Sequence, residues 1–172
     1  MYPTPGSKFR PEEFFPPSVI REHTTQRGRV ESKIWRLLDN RLIWTVKALR
    51  YYFDCPMYLN NYCWGGDASL RVYRPVLELI DFNKYNSDLQ KDKKTAIRSI
   101  TPRLSSFTSQ HCHGRAVDAT FKKYSAEEIR DDIRKSPTAK RYQYITAVEE
   151  GVGWLHVDTR PWDGPRLFFK PR

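Results

Sequence analysis

The chain has 172 residues, 39% of them hydrophobic and 14% aromatic, which suits one domain built around one core. Its net charge of +10 favours anionic surroundings such as nucleic acid, lipid head groups or the acidic groups of a bacterial wall, but the basic residues are scattered among acids, as on a solvated surface. The cysteines Cys55, Cys63 and Cys112 are odd in number and show no Cys-x-x-Cys spacing, which argues against a disulfide scaffold or a thiolate zinc knuckle and favours a reducing compartment.

Residues 1–33 are rich in proline and charge, and prolines bias their neighbours to extended backbone. An extended arm is expected here, lying over a domain of residues 34–172 and pinned by Phe14 and Phe15. Met1–Gly6 shows no export signal, and no stretch approaches the roughly 18 apolar residues of a membrane span. A soluble protein without a membrane span is expected.

From Ile34 to Phe53 the apolar residues recur three and four apart, with Leu38, Leu42, Val46, Leu49 and Phe53 on the buried side. This predicts an amphipathic helix with Asp39 as candidate N-cap and Pro56 beyond its end. Met57–Tyr62 reads as a short strand and Trp64–Asp67 as a turn. Arg71 and Arg74 follow, then the apolar run Val76–Ile80 and a polar loop over Asn83–Lys94. Ser125 and Glu128 form a capping box, which predicts a short helix that buries Ile129 and Ile133, stops at Ser136–Pro137 and packs across a sheet. Tyr142–Glu149 and Trp154–Thr159 are predicted strands of a hairpin that turns at Glu150–Gly153. The aromatic segment Pro161–Arg172 is expected to close one side of the core.

The stretch Ser109–Asp118 and the second predicted hairpin strand carry the chemistry. His111, Asp118 and His156 together would give Zn²⁺ three ligands and leave a fourth position to water, which distinguishes a catalytic site from a closed structural one. Alternation sets Ala116 and Asp118 on one strand face, and Gly114 lets the backbone turn so that His111 reaches the same ion. Asp158, Ser109 and Trp154 are expected around the ligands: Asp158 to orient an imidazole, Ser109 to orient or cap the loop, Trp154 on the face that it shares with His156. A hydrolytic site also needs a base, for which Glu149 and Glu150 are the candidates. Glu149 ends the apolar run of its strand and is slightly preferred. His113 matches no ligand position, and Cys112 is adjacent to His111, so neither is expected as a ligand.

Ser109-x-His111-x-x-Gly114-x-Ala116-x-Asp118, followed by Trp154-x-His156-x-Asp158, resembles the zinc-binding signature of the D-alanyl-D-alanine carboxypeptidase superfamily, whose members include vancomycin-resistance dipeptidases, phage endolysins and the hedgehog domain. The resemblance covers roughly residues 35–160. It implies an α+β domain with a central antiparallel sheet and flanking helices, zinc on His111, Asp118 and His156, and hydrolysis of peptide bonds in peptidoglycan stem peptides. Asn60-Asn61-Tyr62-x-Trp64-Gly65-Gly66 with Arg71 and Arg74 is similar to a segment of small phage-encoded members, which implies that an arginine, Arg74 before Arg71, holds a substrate carboxylate. Two departures stand out. Trp154 occupies the place of a histidine that stabilises the oxyanion in many relatives, and Gly153 the place of the base in several, which moves the base upstream to Glu149 or Glu150.

The expected activity is thus a zinc metallopeptidase of the carboxypeptidase or endolysin type. A phage virion, or the host cytoplasm before release to the wall, is the setting that such relatives imply. The alternative is a virion component that keeps fold and zinc as structure, with other virion proteins as its partners. Nucleic acid is not expected as a specific partner.

Overall fold

The computed structural model describes residues 9–60, 71–75 and 109–170. Helix α1 spans Pro17–Glu22, α2 Asn40–Phe53 and α3 Ala126–Lys135. The strands are β1 Met57–Tyr58, β2 Ala116–Phe121, β3 Ala147–Glu149, β4 Leu155–Asp158 and β5 Leu167–Phe169, and short 3-10 segments cover Pro11–Glu13, Ser32–Leu37 and Lys140–Tyr142. Cys63, the turn at Trp64–Asp67, the run Val76–Ile80 and the loop Asn83–Lys94 lie outside the described residues.

Asp39 does cap α2, accepting from the Arg41 N–H at 2.9 Å, and Leu42, Val46, Leu49 and Phe53 are buried along one stripe. The helix begins later than the apolar pattern predicts. Ser32–Leu37 winds as 3-10 helix and Leu38 is extended, because the Asp39 N–H turns to a tertiary partner, the Gly114 carbonyl at 2.9 Å, instead of continuing a helical ladder. The capping box of α3 forms as expected, with Ser125 and Glu128 satisfying each other's amides and Ile129 and Ile133 fully buried.

The sheet has the order β1-β2-β4-β3-β5. Every pairing is antiparallel except that of β5 with β3, so the sheet is mixed, where the resemblance implies a central antiparallel one. The β4 end lies beside the β3 start, and the short link 159–166 carries the chain around that end only, so β5 must run in the direction of β3. The strand expected over Tyr142–Glu149 shrinks to Ala147–Glu149. Tyr142 instead closes a 3-10 turn with its phenol donating to Asp132, while Arg166 takes the Tyr142 and Ile145 carbonyls at 2.8 Å each, so these residues are held outside the ladder.

Alternation divides the sheet into two faces. Val117, Ala119, Val148, Leu155 and Val157 join Leu42, Val46 and Leu49 of α2 and Ile129 and Ile133 of α3 in one core. Ala116, Asp118, Ala147, Glu149, His156 and Asp158 have the opposite parity.

The N-terminal segment differs from the extended arm that its prolines suggest. Phe9, Phe14, Phe15 and Val19 are part of the same core, and Phe14 and Phe15 meet Trp35 edge-on at ring separations of 5.2 and 5.5 Å. Pro11 and Pro17 each sit at the first position of a helical segment, where a fixed φ and a missing N–H favour a helix start over extended chain.

Candidate metal centre

The register of the sheet builds most of the site. Asp118 on β2 lies directly opposite His156 on β4, and Glu149 on β3 lies opposite His156 from the other side. His111 arrives from the tight turn Ser109–Gly114, in which the Cys112, His113 and Gly114 amides donate back to Ser109, Gln110 and His111. Gly114 ends this turn at φ +63°, and a Cβ there would stand 2.0 Å from the Leu37 carbonyl oxygen. Glycine is therefore required both for the left-handed backbone and for the close approach of the 37–38 segment.

His111, Asp118 and His156 are 3%, 8% and 8% exposed. One ligand atom from each can be chosen so that all lie within 4.8 Å of one another, and the group can hold a metal ion. The tautomers suit this. His111 Nδ1 lies 3.0 Å from the Val72 carbonyl, which can only accept, so Nδ1 carries the proton and Nε2 presents its lone pair 3.5 Å from Asp118 Oδ2. His156 Nδ1 stands 2.6 Å from Asp118 Oδ1, while its Nε2 faces Asp158 Oδ2 at 3.7 Å. Asp158 is held by the Arg160 guanidinium, which grips both carboxylate oxygens. Asp158 thus orients the ring from behind, as outer carboxylates do for metal-bound imidazoles.

Burial, the largest influence on all three groups, acts on each in a known direction. It lowers the His111 pKa and keeps that ring neutral. For Asp118 it works upward but is outweighed by the contact with the protonated His156 ring, which holds the carboxyl well below the usual range. For His156 it works downward but is outweighed by Asp118, Asp158 and Glu149, which raise its pKa to about 9.

The other predicted residues divide clearly. Glu149 Oε2 is 3.9 Å from His156 Nδ1, whereas Glu150 turns away to an ion pair with Arg134 on α3 at 2.6 Å. Arg74 reaches Asp118 Oδ2 at 2.9 Å. Arg71 contributes through its main chain: its N–H donates to Asn60 Oδ1 and its carbonyl accepts from the Asp118 N–H at 2.7 Å, while its guanidinium lies 3.5 Å from the Leu59 carbonyl. The Ser109 carbonyl anchors the His111 turn through Cys112. Trp154 keeps its indole 43% exposed and gives its carbonyl to Arg130. His113 is exposed.

Several supports escaped the sequence. The Val72 carbonyl sets the His111 tautomer, and Phe169 of β5 meets the His156 ring edge-on at 5.9 Å. Buried Arg130 on α3 donates to the Glu149, Val152 and Trp154 carbonyls at 2.7–2.8 Å and so clamps the hairpin that carries Glu149 and His156. Only Arg160 left a trace, as a cation two residues after Asp158 on the strand exit.

Comparison of the chain with family models, with curated proteins and with solved structures returned no match. Among the described residues no helix is long and apolar enough to cross a membrane.

Proposed function

We propose that this chain is a zinc-dependent peptidase acting on peptide bonds of peptidoglycan stem peptides. The observation that carries the reading is the convergence of His111, Asp118 and His156 within 4.8 Å, with Glu149 beside them. Two imidazole nitrogens and one carboxylate oxygen, without a thiolate, form a three-residue donor set of the kind used by catalytic zinc. The outer contacts from Val72 and Asp158 fit a built metal site, and the sequence signature around these residues resembles the carboxypeptidase superfamily.

When bound, zinc supplies Lewis-acid polarisation of a carbonyl and a lowered pKa for water. Glu149 is the base: its carboxylate takes a proton from the attacking water and returns it to the amine as the C–N bond breaks. Arg74, tied to Asp118 and partly exposed, offers its planar guanidinium to a substrate carboxylate. Glu150 has no part in this chemistry, since Arg134 holds it on the helix side.

The test pairs metal analysis with hydrolysis of a synthetic stem pentapeptide. Glu149→Gln should keep wild-type zinc content and lose about 10²–10⁴-fold in rate, while Glu150→Gln keeps the rate. Undiminished turnover in Glu149→Gln, or protein that takes up no zinc, would sink the proposal. One observation favours a second reading: Trp154 stands where many relatives carry an oxyanion-stabilising histidine. Stoichiometric zinc without cleavage of any stem peptide would decide for a structural metal in a virion component.

A further inference from the structure

Outside the metal site, the most unusual surface is a groove between the exposed side of α2 and the Lys140–Tyr142 turn. It has a volume of about 590 Å³ and is lined by Trp44, Lys47, Tyr51, Tyr52, Lys140 and Arg141. Trp44, Lys47 and Tyr51 recur at helical spacing, so they form one stripe that extends about 10 Å along the axis. Large aromatic rings are normally covered, yet Tyr51 is 83%, Tyr52 47% and Trp44 46% exposed. Contiguous exposed aromatic surface of this kind marks a binding face. The stripe is also chemically mixed. Arg141 stacks on the Tyr52 ring at 3.8 Å and pairs with Asp132, and Lys47 and Lys140 are exposed, with no carboxylate among the lining residues.

Rings that present flat faces, interleaved with lysines, suit a polymer of rings that carries negative charge. Single-stranded nucleic acid has a charge on every nucleotide and needs a basic track along its backbone. Here Arg141 is already tied to Asp132, which leaves Lys47 and Lys140 to meet charge. Two cations beside the exposed rings match a polymer charged on only some of its rings. We infer that the α2 groove binds an acidic glycan strand, by stacking of sugar rings on Trp44 and Tyr51 and by pairing of the carboxylates on the strand's substituents with Lys47 and Lys140. That the glycan belongs to the cell wall rests on the peptidase reading. The groove lies on the helix side of the sheet, whereas the metal ligands have the opposite parity. It is an anchor that holds the protein on the polymer, separate from the residues that would cleave its peptides.

Cosedimentation of the full chain with purified peptidoglycan sacculi tests this, with chitin beads as a neutral glycan and a labelled oligo-dT strand as the nucleic-acid probe. Wild-type protein should pellet with sacculi, bind chitin more weakly and release as salt rises. Tyr51→Ala, which removes a ring that is almost fully in solvent, and Lys47→Glu with Lys140→Glu should each weaken retention at least ten-fold at an unchanged melting temperature. Both should leave cleavage of a soluble stem peptide unaltered. Equal retention of wild type and variants overturns the proposal, as does tight oligo-dT binding that the same variants abolish while sacculi are not held. Retention is read without turnover, so protein that pellets through the groove but cleaves nothing would sink the peptidase reading and leave the anchor standing.

Discussion

His156 is the residue on which the behaviour of the centre turns. Its Nδ1 faces Asp118 at 2.6 Å, and the surrounding carboxylates raise its pKa to about 9 against the effect of burial. A metal ion that takes Nδ1 as ligand must displace that proton. Zinc affinity should therefore rise with pH up to about 9, and calorimetry in buffers of different ionisation heat should show about one proton released per ion. An affinity independent of pH across that interval would contradict this assignment of the proton. Stability without metal follows the opposite course. A histidine whose pKa is raised on folding stabilises fully below its unfolded value near 6.5, and the contribution is lost as pH rises through 9. His111, lowered by burial, weakens the fold as pH drops below 6.5. Denaturant melts of chelated protein should thus show falling stability from pH 6.5 to 9, and added zinc should flatten that fall.

At the scale of elements, the decisive device is the turn Ser109–Gly114 against the start of α2. The Gly114 carbonyl accepts from the Asp39 N–H, and the lack of a Cβ at Gly114 lets the Leu37 backbone come close. One contact therefore defines the helix start and places His111. Gly114→Ala should cost at least about 2 kcal/mol from the left-handed φ and the clash with backbone, lowering the melting temperature by about 4–8 °C and weakening zinc binding as His111 is displaced. Wild-type melting and affinity in this variant would show that the turn adjusts without consequence. Capping signals at this scale were legible, since Asp39 and Ser125 each act through atoms a few residues away. The span of β3 was not: its apolar alternation continues upstream, but Arg166 and Asp132 draw Tyr142 and Ile145 out of the ladder.

For the whole molecule, the N-terminal segment is part of the architecture. Phe14 and Phe15 are fully buried against Trp35, and the Glu13 and Phe14 carbonyls accept from the Asn60 and Tyr73 amides. The Val72 carbonyl beside Tyr73 in turn holds His111, so the N-terminal phenylalanines and the candidate metal site are linked through one strip of chain. Phe14→Ala should destabilise by about 3–5 kcal/mol, read as a shifted denaturation midpoint, and reduce zinc affinity along with stability. A midpoint equal to wild type would return the segment to the status of a loose cover. The two faces of the sheet also separate tasks at this scale, with the proposed glycan groove on the helix side and the candidate metal ligands on the other.

The candidate ligand set could be found in the sequence because a metal demands particular residue types, and alternation within each strand sets Asp118 and His156 apart from the apolar neighbours that enter the core. Glycine at 114 and the caps at Asp39 and Ser125 were equally visible, since each acts over a few residues of chain. Only the tertiary structure shows that Glu149 lies beside His156 while Arg134 of another element captures Glu150. The same holds for the Val72 carbonyl, the Arg130 clamp and the parallel β5, which arise between segments far apart in sequence. Such contacts leave no local pattern, since their energy is gained only once the chain has closed on itself.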